Sequence, residues 1–96
     1  RLDNITLHTI GFIQMAARED ADALRTFDAI WATGARLAAG AEAYAELLAA
    51  SGDTQKAVSV LREFRDQVGY NAGLADLERR LEAGQPVTPQ RLKLRE

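Results

Sequence analysis

Apolar residues recur along this chain at intervals of three and four, the spacing that lines one face of an α-helix. Ile5, Leu7, Ile10, Ile13 and Ala17 follow it, and Asp3 or Asn4 stands where a side chain can cap a first turn. The pattern predicts a first helix from about Asn4 to Ala17. Glu19 and Asp20 then open a second, about Ala21 to Thr33, placing acids near its positive end and Leu24, Phe27, Ile30 and Trp31 on its apolar side. Gly34 suits the left-handed conformation that ends a helix. A third helix, about Ala38 to Ala50, carries Ala41, Tyr44, Ala45 and Leu48 on one side. A fourth, about Thr54 to Val68, carries Ala57, Val58, Leu61 and Phe64, and a fifth, about Ala72 to Ala83, carries Leu74, Leu77 and Leu81. Gly52, Gly69 and Gly84 follow these three. In the short run Ser51-Gly52-Asp53 the glycine stops one helix and the aspartate caps the next, so the two must be antiparallel neighbours. Pro86 and Pro89 block further helix, and residues 85–96 read as an extended tail or linker.

Composition supports an all-α chain. Alanine, the best helix former, is the most frequent residue, and no period-two alternation occurs before the last few positions. Ninety-six residues make one domain with one thin core. The net charge of −2, from 14 acidic and 12 basic residues, lacks the basic excess of a nucleic-acid face. With no cysteine there is no disulfide frame, thiol nucleophile or cysteine-ligated zinc. No apolar run approaches the roughly 20 residues of a membrane span, so no membrane insertion is expected. There is no signal-peptide pattern and the chain begins at Arg1, which suggests a processed chain or a piece of a longer one. The compartment stays open between cytoplasm and periplasm. The alanine and arginine content suits a bacterial, high-GC coding source.

The chain also matches itself. Ala23 and Ala57 stand 34 residues apart, and at the same offset Leu24 meets Val58, Phe27 meets Leu61 and Ile30 meets Phe64. Upstream, Ile10 meets Tyr44, Gly11 meets Ala45 and Ala17 meets Ser51. A period of about 34 residues with two helices per unit is the mark of one solenoid class. On these residues the chain resembles the tetratricopeptide repeat. Small residues at the closest helix contacts of each unit would be Gly11 and Ala23, then Ala45 and Ala57. Large apolar positions would be Leu7, Ile10, Phe27 and Ile30, then Tyr44, Leu48, Leu61 and Phe64. Glycine inside a helix costs about 1 kcal/mol against alanine, so Gly11 needs a packing reason. Departures are Ala41 where a large residue is usual, Gln14, and Ala35 and Gly69 in place of the closing proline. The resemblance implies one domain over 1–84: a first repeat at about 4–37, a second at about 38–71 and a capping helix at about 72–83. It implies antiparallel hairpins stacked as a short superhelix of about five helices. The run from Ala45 to Gly84 is also similar to the helical domain of some bacterial transcriptional activators, itself a relative of these repeats.

The resemblance implies a concave groove lined by the first helix of each unit. Its positions fall on His8, Phe12, Met15 and Ala16, then on Glu42, Glu46, Ala49 and Ala50. A peptide or partner helix would put an apolar side chain near Phe12 and Met15 and a basic one near Glu42 and Glu46. Alternatively, Phe12 and Met15 pack against a neighbouring helix and the glutamates form a solvated face. The variant groove that clamps a C-terminal carboxylate has His8, Phe12, Ala39 and Ala43 at its positions here, so that clamp is absent.

Candidate chemistry is sparse. His8 is the single histidine, with no serine or cysteine nucleophile placed beside it, and one ligand does not make a metal site. Glu19, Asp20 and Asp22 lack calcium-loop spacing and read as helix-start electrostatics. Arg62, Arg65, Arg79 and Arg80 interleave with Glu63, Asp66, Asp76, Glu78 and Glu82 as a charge-paired face. The tail TPQRLKLRE, with Leu92 and Leu94, reads as a strand-adding segment, a short docking motif, or a free end or linker. Two units and a cap fall short of the usual three, and Leu2, Ile5 and Trp31 lack obvious neighbours. They are candidates for an interface with a further repeat or with a second copy.

The sequence therefore predicts a non-catalytic protein–protein interaction module, a scaffold or adaptor with no cofactor and no metal. Its partner would be another protein or peptide. The alternative is a self-associating regulatory domain of a larger bacterial signalling or transcription protein.

Overall fold

The computed structural model describes residues 2–91, and Leu92 and Leu94 of the tail lie outside the described residues. The chain forms five α-helices: α1 (Asn4–Ala16), α2 (Asp20–Ala32), α3 (Ala38–Ala50), α4 (Thr54–Gln67) and α5 (Ala72–Glu82). No strand occurs among the described residues. The closest packing is within two hairpins, α1 against α2 and α3 against α4. Then α2 packs on α3, α4 packs on α5, and α5 reaches back to α3. The fold is an all-α stack of adjacent helices.

Local chemistry explains where the helices begin. The Asp3 carboxylate accepts the Thr6 amide at 2.7 Å, Asp53 accepts that of Lys56 at 3.2 Å, and Asn71 accepts that of Leu74 at 3.0 Å. Each satisfies an amide that the helix itself leaves unpaired. The α3–α4 turn is closed from both ends. Gly52 sits at φ +95°, and the Gly52 and Asp53 amides donate to the carbonyls of Ala49 and Leu48 at 3.0 and 2.9 Å. That is the paired-bond cap that a left-handed residue makes possible. The α1–α2 turn has no glycine: Arg18 takes the left-handed role at φ +61°, and α2 begins at Asp20.

The core runs between the hairpins, with Phe27, Met15, Ile30, Leu61 and Leu77 its largest fully buried side chains. The packing reason for Gly11 is Phe27. A methyl group on Gly11 would come within 2.8 Å of the ring, which lies directly over the α1 backbone. Ala23, Ala45 and Ala57 are fully buried as well. The helix α3 is buried on nearly every side, by α2, α4, α5 and the segment after α5. A helix so enclosed needs little polar surface, which accounts for a sequence of alanines and leucines with one glycine, one tyrosine and two glutamates. No helix among the described residues is long and apolar enough to cross a membrane.

Candidate functional site

Small side chains on α3 let α1 approach it closely. His8 is 5% exposed, and its imidazole rests against Gly40 of α3. Its Nδ1 lies 2.7 Å from the Asn4 carbonyl, which requires the proton on Nδ1 and turns Nε2 toward Gly40. The Phe12 ring stands one turn further along α1, edge-on to Phe27 at 5.5 Å between centroids. Beside it opens a cleft of about 240 Å³. Phe12 forms one wall and Ala39, Glu42, Ala43 and Glu46 of α3 form the floor. The opposite wall is Gln90 and Arg91, from the far end of the chain.

Residues 85–91 thus do not leave the domain. After Gln85 they run without helix or strand back to the α1–α3 face. Val87 packs against the core and Pro89 is buried. The Gln90 amide donates to Glu46 Oε1 at 2.9 Å. Arg91 reaches the corner between α1 and α2. Its two terminal nitrogens donate to the two oxygens of Asp20 at 2.6 and 2.8 Å, and Nη1 also donates to the Met15 carbonyl at 2.7 Å. A planar two-pronged donor fits a carboxylate in this way, and a cation at the carbonyl end of α1 is favoured by the helix dipole.

The two acids at this segment are shifted in opposite directions. Hydrogen bonds from Arg91 hold the Asp20 carboxyl below the usual carboxylate range. Burial pushes the Glu46 carboxyl up, with nearby Glu42 adding to the shift; the Gln90 amide and the charge of Arg80 oppose it. Glu46 is 2% exposed and forms no ion pair among the described residues.

Of the positions expected to line a groove, Phe12, Glu42 and Glu46 meet at the cleft, while His8 and Met15 lie beneath the surface. The Met15 side chain is core, and what it offers the site is its backbone carbonyl. Sequence reasoning gave Asp20 no site role, and it read Pro89, Gln90 and Arg91 as part of a tail that adds to or docks on a partner, or is a free end or linker. Arg91 and Asp20 stand 71 positions apart, so no local pattern links them. The positions singled out for self-association differ among themselves. Ile5 is 76% exposed and Leu2 55%, and Ile13 continues their stripe along α1. Trp31 is instead covered: the Arg36 guanidinium lies 3.6 Å from its ring centroid and Tyr44 packs at 5.7 Å.

The arginines of α4 and α5 are engaged with acids. Arg62 and Arg65 both reach the buried Glu78, and Arg79 and Arg80 both reach Asp76. No group of three or more histidine, cysteine or acidic residues able to hold a metal occurs among the described residues. No protein-family model matches the chain, and neither the curated proteins nor the solved structures yield a match.

Proposed function

We propose that this domain is a non-catalytic protein-interaction module of the tetratricopeptide-like type, which receives an extended peptide on the face formed by α1 and α3. The observation that carries the reading is the occupant of that face. Residues 85–91 lie there as a peptide would, with a backbone amide on Glu46, a buried proline and an arginine on Asp20. Main-chain hydrogen bonds supply affinity in such recognition, and flanking pockets supply choice. The repeated hairpin, the offset of 34 residues and the small residues at Gly11, Ala23, Ala45 and Ala57 support the family resemblance.

The test is selection of peptides from a random library on the full chain, followed by mapping on its amide NMR spectrum. The reading expects shifts clustered at Phe12, Ala39, Glu42 and Glu46, and loss of binding in Phe12→Ala with helicity retained. Ligands that map elsewhere, or an indifferent Phe12→Ala, would count against it.

A second reading, self-association within a larger bacterial regulatory protein, is favoured by the exposed apolar stripe Leu2, Ile5 and Ile13.

A further inference from the structure

The contacts of residues 85–91 define what the α1–α3 face selects. We infer that this segment is a built-in competitor for the groove, and that a partner must bring the same chemistry: an extended stretch with a proline shortly before an arginine. The inference rests on the groove reading above and gives that groove a ligand class and a control.

The segment behaves like a ligand in its bonding. The Gln85 amide donates to the Arg80 carbonyl at 3.0 Å, the last backbone bond to α5. Beyond it, the polar contacts of the segment among the described residues are with the groove and its rim: the Gln90 amide on Glu46, and Arg91 on Asp20 and the Met15 carbonyl. A separate peptide could make every one of them. Pro89 has no amide proton to satisfy when buried, and its fixed φ pre-sets an extended path. The Arg91 side chain is 15% exposed, sunk in the α1–α2 corner, and its forked bond to Asp20 rejects lysine, a point charge without the fork.

Docking is also balanced enough to reverse. It joins Arg91 to Asp20 and buries Val87 and Pro89, which is favourable, but it holds Glu46 away from water with a single backbone amide as its hydrogen-bond donor among the described residues. Release rehydrates that carboxylate. Its tether adds to these contacts, since a short flexible linker presents a segment at about millimolar effective concentration. A free ligand must overcome this, and its apparent affinity falls by the fraction of molecules whose groove is open.

The experiment uses the full chain, its R91A and D20N variants, and an acetylated, amidated peptide of residues 84–91 in isothermal titration. The Gln90 amide serves as the reporter of docking in hydrogen-exchange NMR. In R91A the Gln90 amide is expected to lose protection with helicity unchanged. The peptide should then bind R91A about tenfold more tightly than the unsubstituted chain and shift the Phe12, Glu42 and Glu46 amides. D20N should also free the tail, yet bind the peptide weakly, because the side chain loses its charge and one of the two oxygens that accept from the arginine fork. A peptide with lysine in place of the arginine should bind R91A weakly. Equal peptide binding to R91A and the unsubstituted chain overturns the inference. So does a Gln90 amide still protected in R91A, or a freed groove that ignores the peptide. If library-selected peptides of other chemistry still map to the groove in that event, the groove reading survives alone. If they do not, both fall.

Discussion

A methyl group on Gly40 would come within 2.6 Å of His8 Nε2, so the α1–α3 contact is a histidine lying on bare helix backbone. His8 is held there by its bond to the Asn4 carbonyl and by Phe12 and Phe27, each 6.3 Å away between ring centroids. Gly40→Ala gains about 1 kcal/mol of helix propensity but loses about 1–3 kcal/mol to overpacking. The single change should therefore destabilise the domain or leave it near neutral. In a His8→Ala background the obstacle is gone, and Gly40→Ala should stabilise. Urea midpoints of the four proteins read this sign change directly, and additive effects would show that the contact is not what constrains Gly40.

Gly11 poses the same question inside the first hairpin. Its neighbour is the buried ring of Phe27, which has nowhere to move. Gly11→Ala should cost about 1–2 kcal/mol net, overpacking exceeding propensity. Phe27→Ala should cost about 3–5 kcal/mol, and thermal unfolding should rank the two in that order.

Glu46 gives a prediction in pH. Its carboxyl is raised in the folded state, mainly by burial, while Glu42, Arg80 and the Gln90 amide surround it. A raised carboxyl binds a proton more readily folded than unfolded. The stability it contributes is therefore full below the unfolded pKa and is lost as pH rises through the folded one. Glu46→Gln keeps an oxygen to accept the Gln90 amide without burying a charge. It should be neutral to about 1 kcal/mol stabilising at pH 7 and should flatten this part of the pH profile. A large loss of stability in Glu46→Gln would mean that the ionised form is needed.

Asp20 titrates with the opposite sign. Arg91 lowers its carboxyl, so the stability from that pair is present above the unfolded pKa and is lost as pH falls through the folded one. Because Asp20 is nearly half exposed, the effect on global stability should be small, within about 1 kcal/mol. Protection of the Gln90 amide should still fall as the solution is acidified below the usual carboxylate range, and should not in R91A, where it is already lost.

The exposed stripe Leu2, Ile5 and Ile13 can be tested by light scattering behind size exclusion over a concentration series. If it is an interface between copies, the chain is a concentration-dependent dimer and Ile5→Lys makes it monomeric with unchanged helicity. A monomer at every concentration removes the self-association reading and leaves the groove.

Much of the fold was legible in the sequence because its causes are local. Asp3 and Asp53 cap because a carboxylate three residues ahead of a free amide is within reach wherever the helix lies. Gly34, Gly52, Gly69 and Gly84 all adopt positive φ, the conformation that ends a helix most easily in glycine. The spacing of Leu61 and Phe64, or of Leu74, Leu77 and Leu81, needs only the helical period to place those side chains on one buried face. Arg18 was missed as a helix terminator because nothing in its chemistry favours φ > 0.

The site divides along the same line. Phe12, Glu42 and Glu46 were grouped by the resemblance to the tetratricopeptide repeat, which implies that they face one groove, and they line one cleft. His8 and Met15 were grouped with them yet lie buried, since depth depends on how near the next helix comes, and Gly40 brings α3 very near. By itself, then, the sequence determined what is set by neighbours along the chain: the five helices, the ends marked by a capping side chain or a glycine, their apolar faces and the antiparallel hairpins. Only the tertiary structure decided that Arg91 would meet Asp20 and that Gln90 would meet Glu46. Those bonds join residues 71 and 44 positions apart, and they depend on two helices and an extended segment converging in space. No periodicity encodes such a meeting, because its energy comes from groups that become neighbours only after the stack has formed.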